Sequence, residues 1–155
     1  TNEVMEYYEL SVINDYQEKK DVEAAFQLKE DAFRKRADSI SIAFQTEAQK
    51  VQTEAQRIAR SNRKKAEELI GGLQQKQQQL QQQMQAEQQQ LTQAFQAEID
   101  SVIVNVKGFV KDYGKANGYN YILGTSDAAA TVMYGDDEND LTQTILEALN
   151  ADYKK

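Results

Sequence analysis

Chemistry in this chain would have to come from carboxylates, amines and hydroxyls, because its 155 residues include no His and no Cys. That removes the commonest general base, Ser–His nucleophile pairs and His/Cys metal sites. The densest acidic group is Asp136, Asp137, Glu138 and Asp140. It lacks the ligand spacing and distal Glu of a Ca²⁺-binding EF-hand loop, so it reads as a solvated turn. Gly71-Gly72 lacks the Gly-Lys of a phosphate-binding loop. No catalytic, cofactor-binding or metal-ligating residue is therefore assigned, no cofactor is expected, and neither is an enzymatic activity or an ATP-driven cycle. The one electrostatic anomaly is the run Arg57, Arg60, Arg63, Lys64 and Lys65, a stretch without an acid in a chain of net charge −7. Read plainly, it keeps a turn solvated. Read functionally, it is a cationic tip that touches anionic lipid headgroups or acidic client segments.

The elements that would carry this tip follow from one spacing rule. Leu69 and Leu73, Leu80 and Met84, Leu91 and Phe95, Val102 and Val106, then Tyr113, step by four and seven in alternation. The repeat is eleven residues, about 3.67 per turn, so the stripe hardly drifts round a straight helix. From Ala66 to Tyr113 such a helix would be roughly 70 Å long. A second pattern from about Asp15 has the same period in Val22, Phe33, Phe44 and Ala55, and in Phe26, Ala37, Ala48 and Ala59, with Ile40, Val51 and Ile58 beside them. Consecutive helices of equal, unusual period predict an antiparallel α-hairpin over 15–106. Phe26, Phe33 and Phe44 are expected in its core, with some Ala, Ile and Phe edges left to line an inner wall. The turn is placed at 59–63, which balances the arms; Gly71-Gly72 is the alternative. Residues 73–93 are dominated by Gln, interrupted at helical spacing by Leu73, Leu80, Met84 and Leu91. This predicts a solvated, uncharged helix face rather than disorder.

Residues 1–14 and 107–155 should form the remaining body and oligomerisation domain. Thr1 to Leu10 reads as a short amphipathic opening capped by Thr1 or Asn2. Asn117-Gly118 is a helix stop. Strands are expected at about 119–123 and 129–134, then a helix at about 141–152, opened by Asp140 and Gln143 as a capping box and buried through Leu141, Ile145, Leu146 and Leu149. Two short strands need further strands, and oligomerisation supplies them most simply. The fold class is α+β, mostly α. No stretch has enough apolar residues to span a membrane. An acidic chain is a poor nucleic-acid binder. The chain opens at Thr1 without a signal-like segment, so any targeting peptide is expected to have been removed.

The segment KANGYNYILGTSDAAATVMYGDDENDLTQTILEALNADY, Lys115 to Tyr153, resembles the C-terminal part of the Skp/OmpH family of periplasmic chaperones. The GYNYIL strand, the strand ending MYG and the NDLT helix start carry the likeness. The Gln-rich helix and the opening NEVMEYYEL are compatible with it. The resemblance implies a jellyfish-like homotrimer in the periplasm. Strands of three chains would form a small β body, and three helical tentacles would enclose unfolded outer-membrane proteins without using nucleotide. Packing of that body would involve Tyr7, Tyr8, Val106, Tyr119, Tyr121, Leu123, Val132, Leu141 and Ile145. Two departures stand out. The short strand that normally precedes the first helix is expected to be missing here, and the chain is acidic where familiar members are basic. The leading expectation is an ATP-independent holdase. The alternative is a structural coiled-coil spacer or adaptor without chaperone activity, and a third reading is a membrane-surface binder acting through the basic tip.

Overall fold

The computed structural model describes residues 4–126, 128 and 131–154, without the side chains of Glu6, Tyr8, Glu9 and Leu10. The element order is β1 (Val4–Tyr8), α1 (Glu9–Asp15), α2 (Gln17–Ile58), α3 (Arg63–Asn117), β2 (Tyr121–Thr125), a single 3-10 turn (Asp137–Asn139) and α4 (Thr142–Tyr153). The chain divides into two units: Phe26–Gln93, the hairpin unit, and Thr1–Ala25 with Ala94–Lys155, the body unit. The body unit therefore takes in more of each long helix than the boundaries 1–14 and 107–155 expected from sequence.

Without Pro, nothing interrupts α2 over 42 residues or α3 over 55 residues. Gly71 and Gly72 lie inside α3, where a Cβ would meet open space. The turn occupies 59–62. Asn62 closes it by capping α3: its Oδ1 accepts the Lys65 backbone N–H at 3.1 Å, while the Ser61 and Asn62 N–H groups donate to the Ile58 carbonyl at 3.0 and 2.7 Å. In the hairpin unit the stripe residues Leu69, Leu73, Leu80, Met84 and Leu91 are all half-buried, as are Phe26, Phe33 and Phe44 opposite. Only Ala55 and Ala66, both small and close to the turn, are fully buried among that unit's described residues. Arg36 pairs with Glu87 and Lys76 with Glu47, fixing the antiparallel register across the two helices.

The core sits in the body unit. Met5, Tyr7, Val12, Ile13, Tyr16, Val102, Val106, Val110, Leu141, Ile145 and Leu149 form one buried cluster. The opening is a strand rather than the expected amphipathic helix, and the strand expected to be missing is present. β1 runs parallel to β2, with Val4 opposite Tyr121 and Tyr8 opposite Thr125. Alternation explains it: Met5 and Tyr7 point into the core while Val4 stays exposed. The expected cap at Thr1 or Asn2 lies outside the described residues. β2 starts at Tyr121 rather than 119, because α3 ends in a Schellman turn. There Gly118 adopts φ 74°, its N–H donates to the Lys115 carbonyl, and Tyr119 N–H donates to the Gly114 carbonyl at 3.0 Å. The Tyr119 ring then packs 6.4 Å from that of Tyr113. Gly114 lets Ile122 pack close by, since a Cβ there would stand 3.1 Å from the end of the Ile122 side chain.

The strand expected at 129–134 does not form over 131–134, and 129 and 130 lie outside the described residues. The apolar residues Met133 and Tyr134 are left 90% and 82% exposed, with no strand edge taking them up. The capping box before α4 is not made as expected. Asp140 Oδ1 accepts both the N–H and the hydroxyl of Thr142, but Gln143 donates forward to Glu147 instead of back. Leu141, Ile145 and Leu149 form the buried face of α4 with Leu146 packed beside them. Asn150 Oδ1, from the same helix, accepts the Gln17 N–H at 2.8 Å and so caps the start of α2.

Candidate client-binding surface

Two helices side by side cover only the inner part of each other's apolar stripe, and the uncovered margins form open grooves along the hairpin unit. One, of about 480 Å³, lies near the turn, floored by Ala55, Ala59, Ala66 and Ile70. A second, of about 290 Å³, is floored by Ala37, Ile40, Phe44, Leu80 and Met84. A third, of about 420 Å³, holds Phe33 and Leu91. Leu80 and Leu91 are one repeat apart, so the eleven-residue rule that builds the hairpin also spaces its grooves. The rims of the first two are largely amides: Gln52, Gln56 and Gln74, then Gln77 and Gln81. The first also carries Arg63 and Glu67, paired with each other; the amides offer hydrogen-bond donors and acceptors without charge, which suits the backbone of an extended peptide. The third groove is more polar, with Arg36 5.8 Å over the Phe33 ring and ion-paired to Glu87. Leu28 and Ile42 are also strongly exposed on α2.

The basic run is less uniform than its sequence suggests. Arg57 makes a bidentate pair with Glu54 at 2.6 and 2.8 Å, and Arg63 Nε donates to Glu67 at 2.9 Å. The Arg57 guanidinium holds the Glu54 carboxyl below its ordinary range, and Glu54 in turn raises Arg57. Arg60, Lys64 and Lys65 carry no such ion pair among the described residues, although Lys65 also acts electrostatically on Glu54. The i,i+3 and i,i+4 carboxylates responsible are legible in the sequence.

The expected body-packing residues separate into two groups. Tyr7, Val106, Leu141 and Ile145 are buried within one chain, and Tyr119 packs against that core. They need no second copy to be covered. Tyr121 and Leu123 lie on the outer face of β2, 63% and 40% exposed, beside exposed Val4. Val132 is half-buried, and the Tyr8 side chain lies outside the described residues. Among the described residues, no group of three or more carboxylates is arranged to hold a metal ion. Asp136 instead accepts the Tyr134 hydroxyl at 3.0 Å, and Asp140 accepts the Thr142 N–H at 2.8 Å.

Two further points bear on what this arrangement can do. Tyr16, between α1 and α2, is buried beside Glu18, and burial pushes its phenol above the ordinary value. Among the described residues, no helix is long and apolar enough to cross a membrane. A family model described as outer membrane protein (OmpH-like) matches residues 10–149. No curated protein matches the chain.

Proposed function

Because the chain belongs to the OmpH-like family of outer membrane protein chaperones, we propose that it is an ATP-independent holdase for unfolded outer-membrane proteins. The family is of a periplasmic kind, and its members are chaperones rather than enzymes. The observation that carries the reading is the hairpin unit: a long apolar stripe left half-covered, divided into grooves with amide rims. Each groove is too open for tight binding of one side chain. Several acting together hold a disordered chain by repeated weak contacts, with effective concentration replacing affinity. The working form is a homotrimer with client held between the hairpins, a reading supported by the exposed outer sheet face of Val4, Tyr121 and Leu123 and by exposed Met133 and Tyr134. Arg60, Lys64 and Lys65 give the turn a positive potential that favours anionic membrane surfaces.

The test is aggregation of an unfolded outer-membrane barrel protein on dilution from denaturant, followed by light scattering, without nucleotide. Stoichiometric trimer suppresses scattering, and mass measurement reports a complex of chaperone and client. Unchanged scattering at several-fold excess sinks the holdase reading. Replacing Arg60, Lys64 and Lys65 by Gln should abolish cosedimentation with anionic vesicles; retained binding removes the tip from the membrane role.

A further inference from the structure

Several basic side chains described in this acidic chain have a carboxylate partner: Lys19 with Glu23, Arg57 with Glu54, Arg63 with Glu67, Lys76 with Glu47. Among the described bases without an ion pair, which include Arg60, Lys64 and Lys65 at the turn, Lys107, Lys111 and Lys115 are the ones that share a cleft. They recur at every fourth residue of α3 and line one side of an open cleft of about 560 Å³, with Asn120, Ile122 and Gly124 of the β2 region among its other lining residues. None of the three is ion-paired among the described residues, although the chain holds 25 acids. Spaced one turn apart, they present a cationic row about 12 Å long.

The matching opposite charge lies in the same unit. Asp136, Asp137, Glu138 and Asp140 are all exposed, and Asp137 and Glu138 have no basic partner among the described residues. The segment has a defined form: the Tyr134 hydroxyl donates to Asp136, a 3-10 turn spans Asp137–Asn139, and Asp140 is tied to Thr142. Met133 and Tyr134, the two most exposed large apolar residues described, precede it directly.

We propose that the lysine-lined cleft receives the acidic turn Asp136–Asp140 of a second copy of this chain. Copies that each carry −7 repel one another, so association requires a local attraction strong enough to overcome the general field. Three lysines against four carboxylates supply it and select one orientation of approach. Seating the turn brings Met133 and Tyr134 against the neighbour, where burying them adds apolar stabilisation. Cleft and turn are different surfaces, so the contact is heterologous, and such contacts close into rings when the rotation allows. This rests on the homotrimer reading and deepens it, naming the contact that sets which copy follows which.

The experiment is sedimentation equilibrium of the full chain and three variants, with circular dichroism confirming helix content. Lys107→Glu with Lys111→Glu should raise the concentration for half-assembly at least about tenfold. Asp137→Lys with Glu138→Lys should do the same, although it reduces the net charge and so weakens general repulsion. Combining all four substitutions should restore most of the lost assembly. Wild-type assembly should also weaken as salt rises from about 0.05 to 0.5 M. An Asp137→Lys, Glu138→Lys variant that assembles as well as wild type overturns the proposal, as does a quadruple variant no better than either pair. If the wild-type chain assembles yet ignores these charges, only this contact is refuted. If it stays monomeric at all concentrations, the trimer reading falls with it.

Discussion

Leu80 and Val102 hold the same place in one eleven-residue pattern, yet Leu80 is half-buried in the hairpin unit and Val102 is fully buried in the body unit. Their environments differ in the number of neighbouring elements. Along the hairpin unit α3 has one partner helix, which covers a stripe only along its centre. In the body unit the same face meets a cluster fed by β1, α1 and α4. Periodicity thus decides which side of a helix is apolar, and the count of surrounding elements decides how much of that side stays available. The hairpin has apolar surface to offer because it is under-partnered. The body is stable because it is not.

This contrast can be broken in several ways. Ile145→Ala, at a completely buried position, should destabilise the chain by about 2–5 kcal/mol, whereas Leu80→Ala should cost only about 1 kcal/mol. Thermal melts giving equal losses would remove the distinction between the units. Glycines sharpen it by sign. Gly118→Ala forces a side chain into φ 74° and should cost about 1 kcal/mol. Gly71→Ala and Gly72→Ala, facing open space within α3, should each stabilise the hairpin by about 0.5–1 kcal/mol in chemical denaturation.

A further effect depends on pH. Tyr16 has its ionisation raised by burial and by Glu18, so the unfolded chain ionises this phenol first. The contribution is intact below pH about 10 and is lost as pH rises above it. Tyr16→Phe should flatten the alkaline limb of a stability–pH curve; an unaltered limb would place the effect elsewhere. The smallest change is expected of Lys76→Gln, which removes an exposed pair with Glu47 and should cost about 0–1 kcal/mol, read as faster amide exchange in the hairpin.

Much of the hairpin was legible because its information is local and repeated. The stripe residues from Val22 to Tyr113 fall at half-buried or buried positions except Ala59, which lies exposed in the turn, and the apolar face of α4 follows the same logic. β1 was misread because Val4–Tyr8 is short, fits a helical or an extended face, and takes its partner from Tyr121–Thr125. No spacing rule reaches that far. The 129–134 segment reads as a strand from its apolar and β-branched residues, but composition supplies no edge to pair with, and Met133 and Tyr134 are left uncovered. The lysine row of α3 was visible as a four-residue spacing. The cleft was not, since its opposite side comes from Tyr7 of β1, Ile122 and Gly124 of β2 and the residues just before β2.

The parallel pairing of β1 with β2 also sets an order of events during folding. Val4–Tyr8 must find Tyr121–Thr125 across most of the chain, while the two helices of the hairpin meet across a turn of four residues, 59–62. Local contacts form quickly and distant ones slowly. The hairpin is therefore complete while the first strand still waits, its edge open to any other strand. Unfolded outer-membrane proteins, the clients proposed for this chain, carry strand-forming segments too, so for that interval the chain is exposed to the hazard it is proposed to relieve. Only when β2 and α4 form, with Asn150 capping the start of α2, can the waiting strand be enclosed.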